Sequence, residues 1–175
     1  MANMGDVFKN RLVEYINSWG EPLEVLTEVN VGMRFVGTPR KLDIVIRNTT
    51  NNRFMAVECK VQLTSGTAYE KLTYALEDCI ASPIPTILAF AGAYIRDDMK
   101  SRLITSGHGI ELEFDATDEH NITLFSDPKN LFKQRCYIEL GLNWLPFATG
   151  DHISEQLARL TAYAALYRME SETND

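Results

Sequence analysis

Three residues in one short segment have the types and spacing of a site for phosphoryl chemistry: Asp43, Glu58 and Lys60. Asp43 lies in the apolar run "LDIVI", and the other two lie in the next run, "AVECKVQ". Two carboxylates and a nearby backbone carbonyl are ligands that Mg²⁺ prefers, since this ion binds one or two carboxylates and keeps several waters. Such a metal lowers the pKa of water and offsets charge on a phosphate. The pattern therefore predicts metal-dependent phosphodiester hydrolysis, with Lys60 orienting water and stabilising the reacting phosphorus.

Two strands joined by a polar turn must position these side chains. Residues 41–47 and 53–62 are predicted to be strands, and "NTTNN" is predicted to be the turn between them. Because side chains of a strand alternate between faces, the first strand should present Leu42, Ile44 and Ile46 on one face and Lys41, Asp43 and Arg47 on the other. In the second strand, Glu58, Lys60 and Gln62 should share a face.

The turn sets the register between the two strands. A turn centred on residues 50 and 51 places Asp43 directly opposite Glu58. Facing carboxylates lie about 5 Å apart at Cβ and repel each other, so a cation must compensate for them. Met55, Val57, Cys59 and Val61 then form the core face of the second strand.

The remaining elements follow an α/β order. Helical spacing or capping residues predict helices at 7–19, 67–80 and 95–105, one that begins at Asp127, and an amphipathic helix at 151–169. Further strands are predicted at 23–31, 85–92, 110–114 and 121–125. This order predicts a mixed central sheet flanked by helices. We expect a single domain over 1–175, with a core at about 7–125 and a C-terminal helical part at about 127–170.

The segment "LDIVI…VECKVQ" resembles the PD-(D/E)XK nuclease superfamily, the fold of many restriction endonucleases and Holliday-junction resolvases. Asp43 matches the first acid of that family, Glu58 and Lys60 match its E-x-K, and the Cys59 carbonyl falls where a backbone metal ligand is often used. The following "QLTSGTAYEKL" is similar to restriction-type members. The resemblance spans about residues 7–91 and implies the core order α-β-β-β-α-β. It also implies Mg²⁺ as cofactor, for which Mn²⁺ should substitute.

Several other residues are candidates for the site. Several family members add a glutamate from the first helix, and Glu14 holds that place here as a metal ligand, although it lies off the apolar stripe of the helix. Gln62 shares the face of Glu58, where it either holds the attacking water or a phosphate oxygen, or caps the strand end. The residues expected to contact DNA phosphates are Arg34, Arg40, Lys41 and Lys71. For Arg34, Arg40 and Lys41, a solvated loop and edge is an equally good interpretation. Lys71 opens a helix, where a surface role is favoured over a phosphate contact.

Composition restricts the class of protein. The chain has 175 residues, of which 45% are hydrophobic and 23% charged, as in an ordinary globular protein. Three cysteines without a CxxC pair argue against a disulfide framework or a zinc knuckle. No targeting segment or membrane-spanning run is seen, so we expect a cytoplasmic protein. The net charge of −7 is unfavourable for nucleic acid, so a local basic patch must supply any phosphate contacts.

These observations favour an Mg²⁺-dependent DNA endonuclease of restriction type. Because duplex cleavage needs a cut on each strand, a homodimer is expected, formed through the last helix or the region after 126. A Holliday-junction resolvase or repair nuclease is the nearest alternative, although the chain lacks a broad basic face outside 34–41. The second alternative is a non-catalytic module that binds nucleic acid or protein on the same fold, which suits the acidic balance better. A lone E-x-K also occurs as a solvated strand edge with a weak ion pair.

Overall fold

The computed structural model of the chain describes residues 3–34, 37–64, 68–115 and 124–147. It divides into two compact units, Met1–Leu142 and Asn143–Asp175. In the second unit, the described part contains a 3₁₀ turn at Leu145–Phe147. The predicted helix at 151–169 and its dimer surface lie outside the described residues, and the prediction of a single domain stays a prediction. No helix among the described residues is long and apolar enough to cross a membrane.

The first unit contains four helices and seven strands among its described residues. The helices are α1 (Met4–Asn17), α2 (Ala68–Ile80), α3 (Asp97–Thr105) and α4 (Leu131–Leu140), the last preceded by a 3₁₀ turn at Pro128–Asn130. The strands are β1 (Leu23–Met33), β2 (Pro39–Asn48), β3 (Phe54–Val61), β4 (Thr86–Ala91), β5 (Gly109–Glu111), β6 (Glu113–Asp115) and β7 (Leu124–Ser126).

Five strands form one mixed sheet in the order β1-β2-β3-β4-β5. The first three strands are antiparallel, and β3, β4 and β5 are parallel. This arrangement confirms the predicted mixed sheet and the order α-β-β-β-α-β. The predicted strand at 110–114 is instead two strands, because β5 continues the central sheet beside β4 whereas β6 pairs with β7 in a separate ribbon.

Helices cover both faces of the central sheet. The largest cluster of buried residues joins α1 and α4 to one face, and it includes Phe8, Leu12, Ile16, Ile44, Met55, Val57, Cys59, Phe132 and Leu140. A second cluster joins α2 and α3 to the other face, and it includes Leu72, Leu76, Leu88, Phe90, Met99 and Leu103. All six residues of β4 are buried, as expected of a strand that is apolar on both faces.

The polar turn between β2 and β3 also anchors α4. Asn48 is 2% exposed, and its Nδ2 donates to the Leu140 carbonyl at 2.9 Å. The Nδ2 of Asn51 donates to the same oxygen at 3.0 Å. A helix leaves its last carbonyls without intrahelical partners, and the turn supplies donors to one of them. The sequence "NTTNN" thus fixes the hairpin against the α1/α4 layer.

Candidate active site

The register of the β2–β3 hairpin agrees with the predicted turn. Ile44 pairs with Val57, and Arg47 pairs with Phe54. The paired residues end with Ile44 and Val57, and Asp43 and Glu58 are the next residues along the two strands. At that position the Oδ2 atom of Asp43 accepts a hydrogen bond from the Cys59 backbone N–H at 2.8 Å. This hydrogen bond holds the Asp43 side chain beside the backbone of β3.

The alternation of side chains along β2 is interrupted at Asp43. Leu42 was predicted to share a face with Ile44, but it packs with Val45 and Ala56 in a separate buried cluster. This prediction is wrong because strict alternation assumes an unbroken ladder. The residue pairs of β1 and β2 are regular on both sides of Asp43 but skip that position.

Glu28 is the residue of β1 at the skipped position. Its φ is 59°, a left-handed conformation that is uncommon for a residue other than glycine. Its carboxylate forms ion pairs with both Lys9 of α1 and Lys41 of β2. Lys9 also lies 3.3 Å from Asp6, and its side chain is only 12% exposed. A chain of charged side chains therefore borders the β1 side of Asp43, and the sequence reasoning did not anticipate it.

Glu58 and Lys60 form an ion pair on the neighbouring strand. Glu58 is 9% exposed, and its Oε1 atom accepts a hydrogen bond from Lys60 Nζ at 2.6 Å. Burial raises the pKa of Glu58, the Lys60 charge partly offsets this, and the Asp43 charge raises it further. Burial lowers the pKa of Lys60, but the charge and hydrogen bond of Glu58 outweigh burial, so the pKa is raised overall. Lys60 is therefore an ammonium ion at neutral pH.

The atoms around this ion pair match the ligand preferences of a hard divalent cation. Asp43 and Glu58 supply carboxylate oxygens, and the Cys59 carbonyl lies beside them, 3.3 Å from Lys60 Nζ. The Lys60 ammonium thus already contacts two of the three predicted ligand groups. In the described part of the chain, no three His, Cys, Asp or Glu side chains are grouped to hold a metal. The backbone carbonyl is accordingly the third protein ligand that the donor set offers, and the residues present fit Mg²⁺.

Glu14 is not brought to this cluster by any contact among the described residues. Its side chain is 64% exposed and pairs with Arg11 at 2.7 Å. The buried face of α1 consists of Phe8, Leu12 and Ile16. The predicted ligand therefore lies on a solvated flank of α1, as its position off the apolar stripe suggests.

Gln62 lies just beyond the end of β3. Its Nε2 donates to the Thr64 carbonyl at 2.5 Å, and its backbone N–H donates to the Ala91 carbonyl at 2.9 Å. These contacts correspond to the strand-end role that the sequence left open. Its contact with water or phosphate stays a prediction.

Arg40 has a structural position that corrects its predicted contact with a DNA phosphate. The residue is 6% exposed, and its NH1 group donates to the Ala81 carbonyl just beyond α2 at 2.8 Å. Its NH2 group lies 3.8 Å from Asp78 of the same helix. The guanidinium therefore links β2 to the end of α2 and is too buried to contact a phosphate.

The other three predicted phosphate contacts are more accessible. Arg34 is 36% exposed and pairs with Asp78 at 2.9 Å, and Lys41 is 55% exposed and pairs with Glu28. Lys71 is exposed on α2. It has no ion-pair partner within the parts of the chain that the structure describes.

A cleft of about 270 Å³ opens beside the Glu58–Lys60 pair. Its lining residues are Arg34, Glu58, Lys60, Lys71, Tyr74, Ala75 and Asp78. Three cations and two acids line it, and two of the cations pair with the acids, so the lining has one positive charge in excess in a chain whose net charge is −7. A larger cavity of about 600 Å³, lined in part by Ile104, Ile110 and Leu131, shares no lining residue with this cleft and holds none of the predicted site residues.

Sequence reasoning missed Tyr74 and Asp78 as parts of this site. Both follow Lys71 at helical spacing, which places them on one side of α2. The sequence shows this spacing, but it does not predict which side of α2 faces the acids. That side depends on how the helix packs on β4.

Comparison with known families supplies independent evidence. Residues 2–124 match the model of a PD-(D/E)XK nuclease superfamily domain. The matched range includes Asp43, Glu58 and Lys60. No curated protein matches the chain.

Proposed function

We propose that this chain, which belongs to the PD-(D/E)XK nuclease superfamily, is a divalent-metal-dependent DNA endonuclease. The observation that carries the proposal is the meeting of Asp43, Glu58 and Lys60 at one end of the β2–β3 hairpin. Asp43 is fixed by the Cys59 N–H, and Glu58 is fixed by Lys60. Burial and the Asp43 charge both raise the pKa of Glu58, which is a cost to the folded chain that a bound divalent cation would offset.

Asp43, Glu58 and the Cys59 carbonyl are the groups that would hold Mg²⁺, with Mn²⁺ as a substitute. When bound, the ion supplies positive charge for the phosphate oxygens and makes water a stronger acid. Asp43 is oriented for this task by its hydrogen bond to the Cys59 N–H. Glu58 keeps its second oxygen, Oε2, outside the hydrogen bond to Lys60.

Lys60 acts as a charged donor in this proposal. Burial lowers its pKa, but the charge and hydrogen bond of Glu58 raise it overall, so Nζ carries a proton that it can donate. It donates hydrogen bonds to the attacking water or to a phosphate oxygen, where negative charge grows in the transition state. Donors of this kind are worth on the order of 10²–10³-fold in rate.

DNA as the substrate is supported by the excess positive charge in the cleft lining. Lys71 supplies a cation without an ion-pair partner among the described residues. Arg34 and Lys41 are accessible to solvent but already pair with Asp78 and Glu28. Glu14 as a metal ligand and Gln62 as a catalytic contact remain subsidiary predictions. Restriction-type cleavage of duplex DNA, a homodimer and a cytoplasmic location also remain proposals, which rest on the sequence reasoning.

The test is cleavage of supercoiled plasmid and of branched DNA in Mg²⁺ or Mn²⁺. Wild type should cut in a metal-dependent manner, and Lys60→Met should lose on the order of 10²-fold or more in rate. Glu58→Gln should lose activity as well, since a neutral amide is a weaker metal ligand. Arg47→Gln is the matched control, because Arg47 lies on the same hairpin but pairs with Glu24 at 3.3 Å.

Equal activity of Lys60→Met and wild type would contradict the proposed role of the lysine. If folded wild type cuts no DNA in either metal yet binds it without metal, the non-catalytic module is the better description. A product confined to branched substrates would identify a junction or repair nuclease instead of a restriction-type enzyme.

A further inference from the structure

The cleft beside Glu58 has an aromatic residue on its α2 wall. Tyr74 is 67% exposed and lines the cleft together with Glu58 and Lys60. Tyr69 and Tyr94 are also exposed, at 46% and 55%, but neither lines this cleft. Exposure alone therefore does not distinguish Tyr74, whereas its place beside the acids does.

Lys71 lies on the same side of α2. Residues three apart on a helix are neighbours, with Cβ atoms about 5–6 Å apart. Among the cations that line the cleft, Lys60 pairs with Glu58 and Arg34 pairs with Asp78, and the described residues offer Lys71 no such partner. A cation and an exposed ring are thus presented side by side, next to the reacting groups.

From this pairing we infer that α2 holds one nucleotide next to the scissile phosphate, with its phosphate on Lys71 and its base stacked on Tyr74. The inference rests on the proposed function and names its substrate class. A base inside a continuous duplex has both faces covered by its neighbours. Tyr74 can stack only on a base that has left the helix, so the favoured substrate is DNA with an unpaired nucleotide at the cut site, as in a single strand or a flap. The inference therefore favours the junction or repair nuclease over restriction-type cleavage of continuous duplex DNA.

The experiment measures binding apart from cleavage. The Lys60→Met chain is titrated, with fluorescence detection, into a short single-stranded DNA that carries one 2-aminopurine, and into the same DNA annealed to its complement. Adding Tyr74→Ala should weaken single-strand binding by about tenfold to a hundredfold, the usual loss when a stacking ring is removed. Duplex binding should fall less than threefold. Tyr74→Phe keeps the ring and should bind nearly as the parent does.

Tyr69→Ala is the matched control, since it removes an exposed tyrosine from the same helix outside the cleft. Equal losses for single strand and duplex would overturn the inference, as would Tyr74→Phe behaving like Tyr74→Ala. Cleavage by wild type that Tyr74→Ala leaves unchanged on every substrate would overturn it while the nuclease function stands. Ring-dependent single-strand binding by a wild type that cuts nothing would uphold the nucleotide contact and reject the nuclease.

Discussion

Asp43 has two tasks that substitution can separate. Its carboxylate is a proposed metal ligand, and its Oδ2 atom also accepts the Cys59 N–H at 2.8 Å in a partly buried position. Asp43→Ala removes both functions. Asp43→Asn removes the charge needed for the metal but keeps a carbonyl oxygen that can accept the same hydrogen bond.

The expected loss of stability follows from the hydrogen bond that each substitution removes or weakens. A hydrogen bond to a charged acceptor contributes about 1.5–3 kcal/mol, and a neutral one about 1 kcal/mol. Asp43→Ala leaves the Cys59 N–H without its acceptor, so the free energy of unfolding should fall by about 2 kcal/mol. Both substitutions relieve the repulsion between Asp43 and Glu58, whose pKa the Asp43 charge helps to raise. Asp43→Asn keeps an acceptor for the Cys59 N–H, so its cost should stay below about 1 kcal/mol and below the cost of Asp43→Ala.

Urea denaturation and plasmid cleavage together test this separation. Both variants should be inactive, yet only Asp43→Ala should be clearly destabilised. Asp98→Ala controls for loss of an exposed acid, since Asp98 pairs with Arg96 at the surface and its loss should change stability by less than about 1 kcal/mol. Equal destabilisation by Ala and Asn would refute the hydrogen-bond argument, and metal-dependent cutting by Asp43→Asn would refute the ligand role.

Three further changes test the surroundings of the site. Gly92→Ala should lower the free energy of unfolding in urea by about 3 kcal/mol, because the φ of Gly92 is +129° and a Cβ there would lie 2.6 Å from the Gln62 carbonyl carbon. Gly20→Ala is the control, since there is open space around Gly20, and it should cost clearly less. Arg40→Met should lower the free energy of unfolding by about 1.5–3 kcal/mol, because it removes a charged hydrogen bond at the end of α2. A loss below about 0.5 kcal/mol, as for an ordinary surface substitution, would show that the guanidinium is not needed there. Lys60→Met should bind Mn²⁺ on the order of tenfold more tightly in calorimetry, because the substitution removes the ammonium group that contacts two of the proposed ligand oxygens. Unchanged affinity would mean that the ammonium and the metal do not compete.

Local patterns in the sequence were sufficient to predict the hairpin. Period-two alternation and a five-residue polar turn predicted the register that pairs Ile44 with Val57. They also predicted that Glu58 and Lys60 share a face, and the two side chains are hydrogen-bonded. These predictions succeeded because each depends on residues a few positions apart, joined by one turn. Leu42 is the exception, since the interruption at Asp43 involves the position of Glu28 on β1.

Arg40 and Tyr74 show what the sequence left undetermined. Arg40 was grouped with its exposed basic neighbours, yet it is buried because α2 ends against β2 and offers it the Ala81 carbonyl. No local pattern assigns Tyr74 a role, and the packing of α2 places it in the cleft lining with Glu58. In both cases the partners are far apart in the chain, so no short-range spacing predicts their contact.

The sequence by itself predicted the hairpin that carries the candidate site: two acids and a lysine on two strands whose register follows from their turn. Only the tertiary structure decided which charges surround that site, which basic residue is buried and which wall of the cleft is aromatic. The physical reason is the separation in sequence over which each kind of interaction acts. Alternation and turns act between neighbours in the chain, whereas the surroundings of a site depend on how distant helices and strands bury their apolar faces against one sheet.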